Sequence, residues 1–373
     1  MPEDTIDHAA LRHHGDVEAG PGMLDFAVNV RGSAPPPWLR ERLAARLGDL
    51  ARYPAAGDER RAREAVAERH GRSPEEVLLL GGAAEGFALL PKLGARAAVV
   101  LHPSFTEPEL ALRAAGVPVR RVVLQPPYTL DPGAVPDDAD LVVLGNPTNP
   151  TSVLHPAAAI TALRRPGRVL VVDEAFLDAV PGEPESLAGL AAPDLLVLRS
   201  LTKTWALAGL RCGYLLGAPE LLARLAHGRP HWPLGTLQLE AIAATAEPGA
   251  VAWTEREALL IAAERDAMIA ELRALGLTVH TPAAAPFLLL SAAGGAALRT
   301  HLAARGIAVR RADTFPGLGP DHLRVAVRDA AAVATLTTAI RGYHAAAAEH
   351  APEPGHGTAT PAHPAPTGRS HRP

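Results

Sequence analysis

The sequence predicts an α/β protein whose larger part is a mainly parallel, seven-stranded sheet covered on both faces, followed by a smaller α+β domain. Two observations carry this. Seven short, β-rich apolar runs recur along the first two-thirds of the chain, separated by turn residues and helix-patterned segments. Such runs suit strands buried on both faces and joined by helical crossovers. After Arg229-Pro-His-Trp-Pro233 the rhythm gives way to one long helical pattern and a few isolated strands. At 373 residues the chain exceeds a usual single core, and 48% hydrophobic residues are ample for two.

In chain order, residues 1–22 read as an irregular N-terminal arm ending at Gly20-Pro21-Gly22, and residues 23–50 as a segment contributing to the small domain and substrate site. Helical spacing runs from Pro37 to Leu50 and from Asp58 to His70. The large domain is expected over 51–235, its strands at Val77–Leu80, Ala97–Leu101, Arg120–Leu124, Leu141–Leu144, Val169–Val172, Leu195–Leu198 and Tyr214–Leu216. The small domain is expected over 236–344. It opens on a helix from about Val251 to Leu275, with strands near Phe287–Leu290, Ile307–Arg310 and Leu323–Val327. Residues 345–373, rich in Ala, Pro, His, Gly and Thr, have little to bury and read as a disordered tail.

Charge and cysteine usage narrow the class. A formal charge of −4 gives no basic surplus for nucleic acid, and the single Cys212 excludes an internal disulfide. No apolar run is long enough to span a bilayer, so a soluble, cytoplasmic protein is expected. No strand is followed by the Gly-x-Gly-x-x-Gly pattern of a nicotinamide-binding fold.

The basic residues are the sharpest signal. Of 36, only Lys92 and Lys203 are lysines. A lysine kept amid so many arginines suggests a task that guanidinium cannot perform: a neutral amine attacks a carbonyl to form a Schiff base. Lys203 lies in a run of hydroxyls and glycines, Ser200-Leu-Thr-Lys203-Thr-Trp-Ala-Leu-Ala-Gly209-Leu-Arg211-Cys-Gly213, whereas Lys92 looks like a solvated residue near a helix end. Asn146 in Gly145-Asn-Pro-Thr-Asn-Pro150 and Asp173 in Asp-Glu-Ala-Phe176 also follow predicted strands. Asn146 precedes Asp173 by 27 residues, and Asp173 precedes Lys203 by 30. Each interval is about one strand–helix unit, so all three fall where open α/β sheets present ligands.

In this order and spacing, over about residues 12 to 342, the chain resembles the pyridoxal-phosphate enzymes of the class I/II aminotransferase family, fold type I. The likeness is to the branch holding histidinol-phosphate aminotransferases and threonine-phosphate decarboxylases, nearest its actinobacterial decarboxylase-like group. The resemblance implies that Lys203 binds the cofactor covalently and that Asp173 holds its pyridine nitrogen protonated. It implies that Asn146 bonds the ring's O3′ and that Phe105 covers the ring. Ser200, Thr202 and Arg211 would grip the phosphate, with backbone N–H groups of Gly82, Ala83 and Ala84 at a helix start. Tyr53 would reach the phosphate of a neighbouring subunit, hence a homodimer. Phe176 stands where many members have a tyrosine that supports O3′. For the substrate, Arg324 would fork onto a carboxylate, Arg310 onto a phosphate, and Asn29 would lie in the stretch that folds over it. No metal is implied.

Two reactions fit such a cofactor. Phe176 and the motifs at 199–203 and 313–320 lean towards decarboxylation of threonine phosphate, the step that makes the aminopropanol linker of cobalamin; the alternative is transamination of histidinol phosphate or a related amine with 2-oxoglutarate. The same fold also occurs in transcription regulators and in silent relatives. The twenty or so residues before the pattern are too few for a DNA-binding module, and a silent relative would be expected to lack Lys203 or Asp173.

Overall fold

The computed structural model describes residues 7–13 and 15–349. After β1 (Leu24–Asp25) the chain builds β2 (Val77–Leu80), β3 (Ala98–His102), β4 (Val119–Val123), β5 (Leu141–Gly145), β6 (Val169–Asp173), β7 (Leu195–Ser200) and β8 (Gly213–Gly217). These last seven form one sheet in the order β2-β8-β7-β6-β5-β3-β4. β8 runs antiparallel to β2 and β7, and the remaining pairs are parallel. Successive side chains of a strand point to opposite faces. Val77 and Leu79 accordingly enter one apolar core, with Val142, Val172, Val197 and Trp205, while Leu78 and Leu80 enter the other, with Phe87, Val143 and Leu196. Each of the seven expected runs is a strand, shifted by no more than a residue or two at its ends.

A second sheet has the order β12-β13-β10-β9, built from β9 (Thr278–Val279), β10 (Phe287–Ser291), β12 (Arg310–Arg311) and β13 (His322–Ala326). Its core joins Leu288, Leu290, Leu323 and Val325 to Met268 and Leu272 of the helix Pro248–Ala274, and to Phe26 from beyond β1. The expected strand at 307–310 divides: β11 (Ile307–Ala308) pairs with β1, and Arg310–Arg311 with β13, because the chain changes partner at Val309.

Three other expectations are corrected. The helix expected over 37–50 ends at Ala44 and resumes as a 3₁₀ turn, Leu47–Ala51. Gly48 is a poor helix former, and Arg46 is held there by Asp49, Asp58 and Glu240. The N-terminal arm is not irregular throughout. Asp7 accepts the N–H groups of Ala9 and Ala10 to start a short helix, His8–Leu11, and a 3₁₀ turn follows at Gly15–Val17. The helix Ala330–Glu349 passes the expected start of the tail at 345, and residues 350–373, the rest of that segment, lie outside the described residues. Among the described residues no helix is long and apolar enough to cross a membrane.

Candidate active site

The strand registers create the site. β8 pairs Gly213 with both Leu80 of β2 and Ser200 of β7, so two loops lie side by side at this edge. The exit from β2 carries Gly82, and the β7–β8 connection carries Thr202, Lys203 and Arg211 just beyond Ser200. On the parallel side Asp173 of β6 is level with Gly145 of β5 and with Leu198 of β7. Residues from four separate chain segments thus meet along one carboxyl-terminal edge.

Lys203 stands among Arg324, Arg211, Asp173 and Asp16, all within electrostatic reach. Burial and the two guanidiniums outweigh the carboxylates and pull its pKa down to about 8. Lys92, by contrast, is exposed and donates to the carbonyls of Leu225 and His227, which end the helix Pro219–Ala226. Helix-terminal carbonyls welcome such a cation, and its role is structural.

Asp173 accepts a bond from the Ala175 N–H at 3.1 Å. Desolvation, helped by the neighbouring Glu174 carboxylate, pushes its pKa up to about 7 despite that bond and Lys203. Glu174 does not compete for the cleft. It is tied to the buried Arg199 at 2.9 Å and to Leu187 N and Ser186 Oγ.

The phosphate-type pocket is equally specific in shape. Gly82 has φ +89, a conformation that disfavours any side chain, and a Cβ there would displace the Arg211 guanidinium, whose Nη2 would be 2.9 Å away. Ala83 and Ala84 open the helix Ala83–Leu89 behind it. Ser200 and Thr202 are buried with their hydroxyls 2.8 Å apart. Arg211 itself adopts φ 60, a conformation that non-glycine residues seldom take. Its guanidinium bonds only the Ala208 carbonyl, with no ion pair among the described residues. Phe105 is partly buried near Phe87, their rings 5.9 Å apart.

On the opposite wall Arg310 and Arg324 are 2% and 5% exposed, and neither has a salt bridge among the described residues. Arg310 donates to the carbonyls of Arg311 and His13 and to Thr314 Oγ1, and lies over the Phe315 ring. Arg324 donates to Asn149 Oδ1 at 2.7 Å and to the Ala27 carbonyl, and its Nε has no partner. Burial, then mutual repulsion, lowers the Arg324 pKa; burial does the same for Arg310. An arginine does not surrender its proton, and an anion bound there would offset that cost. Asn29 is buried nearby in sequence to Ala27, with both amide atoms unpartnered.

Asn146 is the clearest correction. Its side chain is fully buried, its Oδ1 accepts from His155 N at 2.7 Å, and its Nδ2 donates to His155 O and Glu185 O. The amide is spent on pinning the turn's backbone and does not reach the cleft. Asn149, three residues on in the same Asn-Pro-Thr-Asn-Pro run, is the one that meets Arg324. The second Asn-Pro pair was the sequence signal for it. Phe176 is buried edge-on against Phe287, 4.9 Å between centroids, and the other side of that contact leads to Arg324, 5.6 Å from the Phe287 ring. Tyr53 stays outside the cleft, 74% exposed and stacked at 4.2 Å on Trp232.

The pattern of the class I and II aminotransferases matches residues 21–340. The histidinol-phosphate aminotransferases of Mycobacterium bovis and Mycobacterium tuberculosis are 60% identical over 325 residues, 87% of this chain and 89% of theirs. The threonine-phosphate decarboxylase of Salmonella typhimurium is 31% identical over 333 residues, 86% of this chain and 90% of its own. The solved histidinol-phosphate aminotransferase of Clostridium acetobutylicum shares the fold at a TM-score of 0.80 and 24% identity, over 87% of this chain and all of that one. The chain belongs to the class I and II aminotransferases and is a pyridoxal-phosphate-dependent enzyme.

Proposed function

We propose that the protein is a transaminase for a small phosphorylated amine, histidinol phosphate before others, with 2-oxoglutarate as amino acceptor. The observation that carries the substrate class is the pair Arg310 and Arg324, both buried and without a salt bridge among the described residues, Arg324 lying within electrostatic reach of Lys203. Two desolvated guanidiniums suit a dianionic phosphate in one half-reaction and the carboxylates of glutamate in the other. The sequence alone leaned towards decarboxylation of threonine phosphate. That preference is reversed, because the relatives named for transamination are 60% identical and the one named for decarboxylation is 31%.

The residues present fit the cofactor. Bound pyridoxal phosphate supplies an electron-poor ring that accepts the electron pair released at the substrate's Cα. Gly82, Ser200, Thr202 and Arg211 would hold its phosphate, since that pocket offers hydroxyls, a cation without an acid and a backbone stripped of side chain. Asp173 would keep a proton on the ring nitrogen, its raised pKa showing that a buried positive charge opposite it would be welcome. Asn149, rather than Asn146, would direct its amide at the ring oxygen while holding Arg324. Phe105 would close one face of the ring. Lys203, its amine already close to neutrality at pH 8, would bind the cofactor's carbonyl carbon and then carry the proton to and from Cα.

The deciding experiment measures two products on one preparation: glutamate from histidinol phosphate plus 2-oxoglutarate, and CO₂ from threonine phosphate. Glutamate without CO₂ is expected. CO₂ without glutamate would restore the decarboxylase reading while leaving the cofactor site as described. Arg310→Ala should raise KM for the phosphorylated substrate, and an unchanged KM would remove Arg310 from the anion site.

Tyr53 and Trp232, two large exposed aromatics stacked on each other, support a homodimer in which this face meets a second copy. Light scattering should give twice the chain mass of 38.9 kDa. A fully active monomer would exclude it.

A further inference from the structure

The N-terminal arm is docked on the anion site by specific bonds. Leu11 is buried, and its carbonyl accepts from Thr106 Oγ1 at 2.6 Å, one residue beyond Phe105. The His13 carbonyl accepts from Arg310 Nη2 at 2.6 Å. Glu18 receives Arg299 at 2.8 Å and His13 Nε2 at 2.9 Å. Between these anchors Gly15 is pressed against the floor: a Cβ there would fall 2.5 Å from the Ala27 carbonyl oxygen and 3.4 Å from Arg324 Nη2. The turn Gly15–Val17 therefore lies against Arg324, two residues beyond the His13 carbonyl that holds Arg310, and it carries one carboxylate, Asp16, which is exposed.

Two carboxylates bear on Lys203 from different parts of the chain. Asp173 does so from the end of β6, and Asp16 from the arm, where its charge is also felt by Arg310. In the reaction proposed above, Asp173 is committed to the ring nitrogen. Of the other carboxylates that bear on Arg310 and Arg324, Glu18 is held by Arg299 and His13, Asp25 by the N–H groups of Ala27 and Val28, and Asp313 by Arg311, which leaves Asp16 as the acid for the substrate. Histidinol phosphate has three arms: an amine, a phosphate ester and an imidazole. The amine must lie at Lys203 and the phosphate at the guanidiniums. An imidazole offers an N–H donor and is partly cationic near neutral pH, so a carboxylate is its natural partner. Glutamate, which must use the same cleft, has no such group and brings a further negative charge instead.

We propose that Asp16 is a specificity-determining residue, its carboxylate receiving the imidazole of the phosphorylated amino donor from the arm side of the cleft. This rests on the histidinol-phosphate reading. An exposed residue on a turn tolerates substitution, so Asp16→Asn should fold. Discrimination of this kind arises because a site built to pair one group does nothing for a substrate lacking it. The holoenzyme and its Asp16→Asn and Asp16→Glu variants should be compared in two half-reactions, histidinol phosphate and glutamate, followed by the cofactor's absorbance. Binding of histidinol phosphate and of inorganic phosphate to borohydride-reduced enzyme should be measured by calorimetry. In Asp16→Asn, KM and Kd for histidinol phosphate are expected to rise about tenfold, as for loss of one charged hydrogen bond, while the glutamate half-reaction and phosphate binding are not weakened, because a carboxylate whose charge reaches Arg310 and Lys203 has been removed. Asp16→Glu should recover part of the loss. Equal losses on both amino donors would show that the turn is only a cover, and no change would remove Asp16 from the site; either overturns the proposal. If the wild-type protein itself binds histidinol phosphate no better than inorganic phosphate, the substrate reading fails first and takes this role with it.

Discussion

Lys203→Arg should leave the fold intact and reduce turnover by at least about a thousandfold, the order of effect that loss of a covalent and proton-transferring group produces. The substitution keeps a cation beside Asp173 and Asp16, so any loss cannot be assigned to missing charge. What disappears is an amine able to become neutral. The pKa of about 8 adds a second, independent readout. The folded-state value lies below the ordinary lysine value of 10.5, so the neutral nucleophile is populated as pH rises through 8 rather than through 10. Uptake of pyridoxal phosphate by the wild-type apoprotein should accelerate across that lower window. Borohydride reduction and peptide mapping should place a phosphopyridoxyl group on Lys203. A label on Lys92, or substantial activity in Lys203→Arg, would defeat the assignment.

Asp173→Asn should retain bound cofactor yet cut kcat by about a hundredfold or more, roughly 2.7 kcal/mol of transition-state stabilisation. A neutral amide preserves shape and one hydrogen bond but cannot balance a protonated ring nitrogen. Burial makes the difference large, since a charge pair withdrawn from water interacts far more strongly than an exposed one. Loss of less than about tenfold, 1.4 kcal/mol, would mean that another group holds the ring nitrogen. The neighbouring Glu174 is not that group, because Arg199, Ser186 and Leu187 already consume its oxygens.

Seven apolar runs were legible as strands because burial on both faces forces continuous Val and Leu, and such a pattern has few other solutions. Lys203 was legible because arginine had replaced lysine almost everywhere else. Tyr53 and Phe176 were found by resemblance alone, and the structure sets one on the surface and the other against Phe287. The arm was read as irregular because its anchors, Thr106 and Arg310, lie about 95 and 297 residues away in sequence. Local pattern carries no trace of partners that distant.

The sheet, its helical crossovers and the strand-end positions of Asp173 and Lys203 could be read from the residues alone, because they follow from short-range periodicity and the direction a strand must run. Folding is what separates the surroundings of Asn146 from those of Asn149. Both sit in the same proline-framed turn, but the backbone groups of His155 and Glu185 satisfy the first amide, leaving the second to meet Arg324. It also decided which arginines are short of an anion. Among so many guanidiniums, most are matched by carboxylates that folding brings within reach, as Glu240 serves Arg42, Arg46 and Arg61. Arg310 and Arg324 are buried and hydrogen-bond only neutral acceptors among the described residues, so a bound anion would complete them, as proposed above.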